Sequence, residues 1–285
     1  FSPSSPSRAV IILKWSFKRS QLLYFLKKSL PYATIVLLMT LYTRIDVLML
    51  DQLLPDGNFH VGVYAAAYRL LDASNMIGYL FASLLLPMFS RMIKTKAPIS
   101  DLLESSFRLL IFGSIVLAST ICVFRQPIVE RMYDHATPYW GDVLGILIWS
   151  FVPVSITYIF GALLTANENI QKMNRIFALG IGLNVVLNLA LIHRFQAVGT
   201  AISTLITQAV VTSFLTVLLF RELQIHWQLP VWKLVLFVLL AVGIPITVVH
   251  LTSLSWELQM GISLVATTVV GVGLQFLPIQ SFLTL

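Results

Sequence analysis

The residues of this sequence that could do chemistry are charged side chains placed inside long apolar runs. One run contains Arg44 and Asp46, and the next contains Arg69 and Asp72. An ionised side chain at bilayer depth costs roughly 2.5–3.5 kcal/mol even on a lenient insertion scale, so each residue needs a partner or water. Two interpretations stay open. Opposite charges can pair and fix helix packing, or the arginines can line a water-filled cavity and bind a phosphate or pyrophosphate group.

The four charges are predicted to share one layer of the membrane. A helix rises about 1.5 Å per residue, which places Arg44 and Asp46 roughly 15 and 12 Å below the end of their run. The same count places Arg69 and Asp72 roughly 12 and 16 Å below the start of the next run. If the two runs form neighbouring antiparallel helices, Arg44 is expected to reach Asp72. Asp46 is then expected to reach Arg69.

Rotation around the helix axis separates two of these charges. Positions 44 and 46 lie about 200° apart, so one side chain can face a cavity while the other contacts a neighbouring helix. Arg69 and Asp72 are three residues apart and share a face. Arg108, in the third run, lies only about 9 Å from the nearer end of its span and could snorkel to the surface.

The elements that hold these charges must be transmembrane helices. Hydrophobic residues make up 58% of the chain, charged residues only 11%, and the mean hydropathy is +0.87, which is far outside the range of soluble domains. A bilayer span needs roughly 20 apolar residues, and several such runs follow one another here. The fold class is therefore predicted to be all-α, a polytopic transmembrane helical bundle of about eight spans. The spans are placed at 30–54, 61–88, 103–124, 143–165, 176–194, 197–220, 232–253 and 258–277.

Basic residues orient the predicted bundle by the positive-inside rule. Most lysines and arginines between the apolar runs fall on one side, and only Arg125, Arg131 and Arg194 fall on the other. The basic side is therefore predicted to be cytoplasmic and to carry both the N- and C-termini. Topology also explains the formal net charge of +7, so no nucleic-acid partner is expected.

Three parts are distinguished along the chain. Residues 1–28 are predicted to form a loop and then a cationic amphipathic helix at the membrane interface, because lysines recur at helical spacing over residues 10–28. This helix would serve as an anchor or as a lever between two halves of a transporter. Residues 29–220 hold six spans, and residues 221–285 hold two additional ones.

No catalytic or metal-binding motif is present in the sequence. The single cysteine, Cys122, lies in an apolar run, and the five histidines are scattered. The longest external loop, residues 125–142, has no metal-ligand spacing and is predicted to be a solvated connection. Asn184 and Asn188 lie four residues apart in the fifth span and are assigned to hydrogen bonding between helices. We expect neither an enzyme nor a bound metal or cofactor.

Five stretches form a pattern in which the order matters more than any single motif. They are SLPYATIVLLMTLYTRIDVLMLDQLL (29–54), VGVYAAAYRLLDA (61–73), LLPMFSRMIK (85–94), GALLTANENIQKMNRI (161–176) and LGIGLNVVLNLALIHRFQAVGTAISTLI (179–206). Together they resemble the Wzx-type polysaccharide and oligosaccharide flippases, a branch of the multidrug/oligosaccharidyl-lipid/polysaccharide exporters.

The resemblance implies a transporter that moves undecaprenyl-pyrophosphate-linked oligosaccharide across the bacterial cytoplasmic (inner) membrane for polysaccharide biosynthesis. Such proteins have two lobes of six helices around a central cavity. Residues 29–220 would be the C-terminal lobe, present here as a C-terminal fragment. The implied partners are the lipid-linked glycan, the lipid bilayer and an N-terminal lobe that is missing from this sequence.

Roles for the four charges follow from the same resemblance. Arg44 and Arg69 become candidates for binding the lipid pyrophosphate, and Asp46 and Asp72 become candidates for coupling to an ion or for orienting the arginines. The family of peptidoglycan-precursor flippases shares this architecture. Two alternatives are a cation-coupled multidrug exporter of the same fold and a non-transport protein of envelope glycan assembly, such as a polymerase. The arginine-rich layer favours an anionic lipid-linked substrate over a cationic drug.

Overall fold

The computed structural model describes residues 19–223 and 231–274. Within these residues the chain forms nine α-helices and one 3₁₀ turn, so the prediction of an all-α fold is confirmed. The elements are α1 (Arg19–Leu53), α2 (Gly57–Thr95), α3 (Ser100–Val123), α4 (Arg125–Met132), α5 (Pro138–Leu147), the 3₁₀ turn (Ile148–Ser150), α6 (Phe151–Ala166), α7 (Ile170–Leu223), α8 (Val231–Leu251) and α9 (Trp256–Gly273).

Five helical segments of the described chain are long and apolar enough to cross a membrane. The bent helix α7 counts once among them although it covers the fifth and sixth predicted spans, and α5, the 3₁₀ turn and α6 count together as one segment. The protein is therefore a polytopic membrane protein, and the number of eight spans stays a prediction. We call the end of the bundle that holds the α1–α2 turn the outer end, and the opposite end the inner end, after the predicted orientation.

Helix α7 is a helical hairpin rather than a single rod. At Gln196 the backbone has φ 53° and ψ −131°, a left-handed conformation that side chains other than glycine rarely adopt. Close by, a Cβ atom on Gly199 would lie 2.6 Å from the carbonyl oxygen of Leu191, so only glycine allows this approach of the two arms. At the inner end, Lys172 and Glu222 form an ion pair of 2.6 Å between the arms. The turn predicted around residues 193–199 is thus confirmed.

Helix α1 begins before the first predicted span, and the predicted domain boundary at residue 28 stays a prediction. Residues from Arg19 onward belong to the same continuous helix as the first span, so no break separates residues 19–28 from it. This segment contains no glycine, and nothing in it ends a helix. The remainder of the predicted interfacial helix, within residues 1–18, lies outside the described residues.

Helices α8 and α9 pack against each other and against α3. The rings of Phe112 and Phe237 stack at a centroid distance of 5.2 Å. A Cβ atom on Gly271 would lie 2.6 Å from a ring carbon of Phe237, so the lack of a side chain lets α9 approach these rings. Helix α8 therefore extends the main hydrophobic core through Phe237 and Ala241, and α9 packs beside it. The predicted domain boundary at residue 221 stays a prediction.

The segment 125–142 is not the solvated connection that the sequence suggested. It contains α4 and the start of α5, because apolar side chains at helical spacing find a core here, with Val129 buried. The hydroxyl of Tyr139 accepts a hydrogen bond of 2.9 Å from the backbone N–H of Ala197, directly after the α7 turn. The same hydroxyl lies 2.9 Å from Nδ1 of His60 in α2. One tyrosine thereby ties three elements together at the outer end.

Replacing Tyr139 with phenylalanine is expected to lower the free energy of unfolding by about 1–3 kcal/mol, because the Ala197 amide and the His60 ring each lose a partner. Thermal unfolding of the purified protein in detergent would measure the loss. Tyr133→Phe is the matched control, since the Tyr133 ring packs on Trp140 and its hydroxyl forms no hydrogen bond within the described residues. Equal stability of Tyr139→Phe and the wild type would contradict this role.

Candidate functional site

Three of the four predicted site charges line one cavity between α1 and α2. Arg44, Arg69 and Asp72 border a space of about 270 Å³, together with Tyr64 and Tyr68. All three charged side chains are exposed to it. Within the described residues, neither arginine forms a hydrogen bond or an ion pair with another side chain. The predicted ion pair between Arg44 and Asp72 is therefore not formed, although both residues face the same space.

Asp46 points away from this cavity and into the protein, where its side chain is only 1% exposed. One carboxylate oxygen, Oδ2, accepts hydrogen bonds of 2.8 Å from the hydroxyl of Tyr64 and of 2.8 Å from that of Thr204. The other oxygen, Oδ1, accepts a bond of 2.7 Å from the side-chain amide of Asn188. The predicted contact with Arg69 is wrong, because Tyr64 rather than Arg69 projects from α2 towards Asp46.

The opposite directions of Arg44 and Asp46 agree with the angle of about 200° between their positions on a helix. One side of α1 carries the arginine that borders the cavity, and the other side packs on both arms of α7. Arg108 lies outside this site. It forms an ion pair with Glu104, one turn earlier in α3, near the inner end of the bundle.

Several buried polar atoms on the two arms of α7 have no partner within the described residues. Asn184 accepts a hydrogen bond of 3.1 Å from Asn188 through Oδ1, which leaves its own amide nitrogen unpartnered. The side-chain oxygens of Asn188, Thr200 and Thr207 are also buried without a partner. Leaving such groups unpaired is costly in a protein interior, so these buried polar atoms call for an explanation beyond helix packing.

The sequence contained a signal for these residues. Thr200, Thr204 and Thr207 are spaced by four and three, so they share one face of the second arm of α7. The asparagine pair at 184 and 188 shares a face of the first arm in the same way. Each set alone is typical of helix packing, and only the hairpin turn brings both sets together opposite Asp46.

The model of the family described as "Lipid II flippase MurJ" matches residues 8–271, most of the sequence. The chain belongs to the lipid II flippase MurJ family. No individual curated protein matches the chain.

Membership of the MurJ family makes the protein a membrane flippase for a lipid-linked precursor. The family is one of transporters rather than of catalytic enzymes. The resemblance to exporters of lipid-linked glycans was therefore right at the level of the superfamily. The matched family is that of the peptidoglycan-precursor flippases, which the sequence analysis had placed beside the Wzx-type branch.

A pair of threonine variants tests whether the hydrogen bonds at Asp46 stabilise the bundle. Thr204→Val removes a donor to the carboxylate and is expected to lower the free energy of unfolding by about 1–3 kcal/mol. Thr207→Val removes a buried hydroxyl that has no partner within the described residues, so it is expected to leave stability equal or higher. Thermal unfolding in detergent without added sodium would compare the two. Equal losses would mean that the Asp46 contact contributes nothing specific.

Proposed function

We propose that this chain forms one lobe of an alternating-access flippase for an undecaprenyl-pyrophosphate-linked glycan precursor in the bacterial cytoplasmic membrane. The observation that carries the proposal is the cavity between α1 and α2 bordered by Arg44 and Arg69. Neither guanidinium group forms a hydrogen bond or an ion pair with the described part of the protein. Unpaired cations in a membrane protein are expensive, and they are retained where they bind a substrate. The MurJ family membership supplies the class of substrate.

The two arginines are suited to a pyrophosphate group. They project from neighbouring helices into the same space, so each can donate paired hydrogen bonds to a different phosphate. Asp72 lines the same cavity and carries the opposite charge. We propose that Asp72 orients Arg44 by electrostatic attraction across the cavity, without a direct ion pair. The site then keeps a net positive charge for an anionic headgroup.

We further propose that Asp46 binds the coupling cation. A buried carboxylate among neutral donors needs a positive charge, and no lysine or arginine pairs with it within the described residues. We propose the unpartnered oxygen of Asn188 as a further ligand. The hydroxyl oxygens of Thr200 and Thr207, one turn before and after Thr204 on the same arm, are proposed to complete an oxygen site for a small ion such as Na⁺.

The coupling route in this proposal is helix α1 itself. Arg44 and Asp46 are two residues apart on one rigid helix, so a change in how Asp46 packs on α7 turns or shifts Arg44 in the cavity. A ligand can drive such a movement only if it binds the two arrangements with different affinity. A cation that fills the oxygen-lined site in one arrangement and loses ligands in the other meets this condition.

The finer identity of the substrate is also proposed. The name of the matched family favours the peptidoglycan precursor lipid II over the oligosaccharide units of polysaccharide biosynthesis. A cationic drug suits the cavity less well, because two arginines outnumber the single aspartate on its wall. The open side of the cavity is proposed to be closed by a second lobe of helices, and both termini of this chain are proposed to be cytoplasmic.

Replacing Arg44 and Arg69 with alanine, singly and together, tests the proposed pyrophosphate contact. Each single change is expected to lower flipping about tenfold to a hundredfold, because a charge-assisted contact to the headgroup is lost. The measurement is the fraction of lipid-linked precursor that a membrane-impermeant cleaving enzyme reaches from outside intact cells, at equal protein level. Arg108→Ala is the matched control, since Arg108 pairs with Glu104 away from the cavity.

The same cells identify the substrate. Accumulation of the peptidoglycan precursor inside cells with the double alanine variant supports lipid II, whereas accumulation of polysaccharide precursors supports the Wzx-type alternative. Normal export by the double variant at normal protein level would remove both arginines from the substrate role. Resistance to cationic dyes conferred by expression of the wild type would favour the multidrug alternative.

The change Asp46→Asn tests the coupling role. The wild type in proteoliposomes is expected to flip faster under an imposed sodium gradient, whereas Asp46→Asn loses this dependence because it cannot neutralise the cation. Asp51→Asn, an exposed carboxylate at the outer end of the same helix, is the matched control. A sodium response in Asp46→Asn equal to that of the wild type would show that the ion binds elsewhere.

A further inference from the structure

A strip of aromatic and amide side chains continues from the arginine cavity towards the inner end. A second space of about 500 Å³ is bordered by Arg69, Asp72, Asn75, Tyr79 and Tyr158. Arg69 and Asp72 also line the arginine cavity, so the two spaces adjoin. On α2 these positions recur every three or four residues, which places them on one face over roughly 15 Å from residue 69 to residue 79.

A third, smaller space lies behind this strip. It measures about 100 Å³ and is bordered by Tyr68, Asn75, Tyr158 and Gln208, among others. Tyr68 also lines the arginine cavity, whereas Asn75 and Tyr158 also line the second space. We call Tyr68, Asn75, Tyr79 and Tyr158 the tyrosine strip, because each of them borders at least one of these adjoining spaces.

The position of Tyr158 depends on a glycine in the facing helix. A Cβ atom on Gly78 would lie 2.9 Å from ring atom Cε2 of Tyr158, closer than side chains normally approach. The absence of a side chain on Gly78 thus lets the Tyr158 ring lie against the backbone of α2. The ring is held in place by α2 rather than turned freely into the cavity.

The Asn75 oxygen and the tyrosine hydroxyl groups of the strip have no hydrogen-bond partners within the described residues. The side-chain oxygen of Asn75 is buried and has no hydrogen-bond partner. The hydroxyl groups of Tyr68, Tyr79 and Tyr158 form no hydrogen bond with the described part of the protein. At a closed interface with another lobe, buried polar groups would be expected to have hydrogen-bond partners. Rings combined with unpaired donors and acceptors are instead typical of a ligand pocket.

A sugar ring presents the complementary chemistry. Its faces carry C–H groups, which are attracted to the negative faces of aromatic rings, and its rim carries hydroxyl groups that donate and accept hydrogen bonds. An acetamido substituent adds an amide group of the same kind as the side chain of Asn75, which borders two of the three spaces. In a lipid-linked glycan, the first sugar is attached directly to the pyrophosphate, so it must lie beside whatever binds the phosphates.

We propose that the tyrosine strip is a subsite for the sugar rings of the transported lipid, placed directly next to the arginines that hold its pyrophosphate. This inference rests on the proposed function, because it needs the pyrophosphate in the arginine cavity. It adds residues that recognise the glycan itself. The arginines then bind every pyrophosphate-linked lipid, and the strip distinguishes a lipid that carries sugars from one that does not.

The test compares two ligands on the intact protein in nanodiscs. One is undecaprenyl pyrophosphate carrying an N-acetylated disaccharide, and the other is undecaprenyl pyrophosphate alone. The wild type is expected to bind the first more tightly. Tyr158→Ala and Tyr79→Ala together are expected to weaken binding of the glycan-bearing lipid about tenfold, the size of a lost aromatic contact, and to leave binding of the bare lipid unchanged.

Three further variants serve as controls. Tyr158→Phe keeps the ring and is expected to retain most of the affinity. Gly78→Ala pushes the Tyr158 ring aside and is expected to weaken glycan binding without touching the ligand. Leu80→Ala removes a large exposed side chain next to Tyr79 that borders none of the three spaces, so it is expected to change neither affinity.

The outcomes separate the strip from the proposed function. Equal affinity of the wild type for both lipids would overturn the strip while leaving pyrophosphate binding intact. Tyrosine variants that weaken both lipids alike, or neither, would also overturn it. Binding of neither lipid by the wild type would overturn both proposals. Both proposals are supported if the arginine variants lose affinity for both lipids while the tyrosine variants lose affinity only for the glycan-bearing lipid.

Discussion

The buried carboxylate of Asp46 is the contact on which the arrangement of the bundle depends. Its two oxygens accept hydrogen bonds from α2 through Tyr64 and from both arms of α7 through Asn188 and Thr204. In lipid, apolar side chains give helices little reason to prefer one neighbour over another, so polar contacts decide which faces meet. Because Asp46 fixes the rotation of α1 about its axis, it also fixes the direction in which Arg44 points. The buried hydrogen bonds of Asp46 therefore determine that Arg44 faces the cavity between α1 and α2.

The turn in α7 makes this contact possible. Asn188 and Thr204 lie eight residues before and eight residues after Gln196, where the two arms meet. In a hairpin, equal distances from the turn give equal depths, roughly 12 Å below the outer end at the helical rise. Asp46 and Tyr64 lie at a similar depth below the α1–α2 turn. The position of the turn at Gln196 therefore matters for the site. An added residue on one arm would move Asn188 or Thr204 to a different depth, away from the Asp46 carboxylate.

The sequence predicted the positions of the four charges along α1 and α2 better than it predicted which side chains they contact, for a physical reason. The depth of a side chain follows from counting residues along a helix, and counting placed the four charges of α1 and α2 in one layer. The choice of partner depends on helix rotation and on residues far away in the chain. Nothing near Asp46 in the sequence indicated that Asn188 and Thr204 would donate to it. The opposite directions of Arg44 and Asp46 were predictable, but which of them would face the cavity was not.

The sign of the uncompensated charge explains why this cavity suits an anionic lipid. On the cavity side of α1 and α2, two arginines meet one aspartate, so one positive charge remains unbalanced. On the buried side, the carboxyl group of Asp46 is surrounded by neutral groups, so its ionised form would carry an unbalanced negative charge. The roles proposed for the two sites therefore require ligands of opposite sign, an anion in the cavity and a cation or proton between α1 and α7. A transporter of cationic drugs would need the reverse, with acidic groups on the cavity wall. Since one helix carries both sites, occupation of either one changes the electrostatic energy of placing a charge in the other.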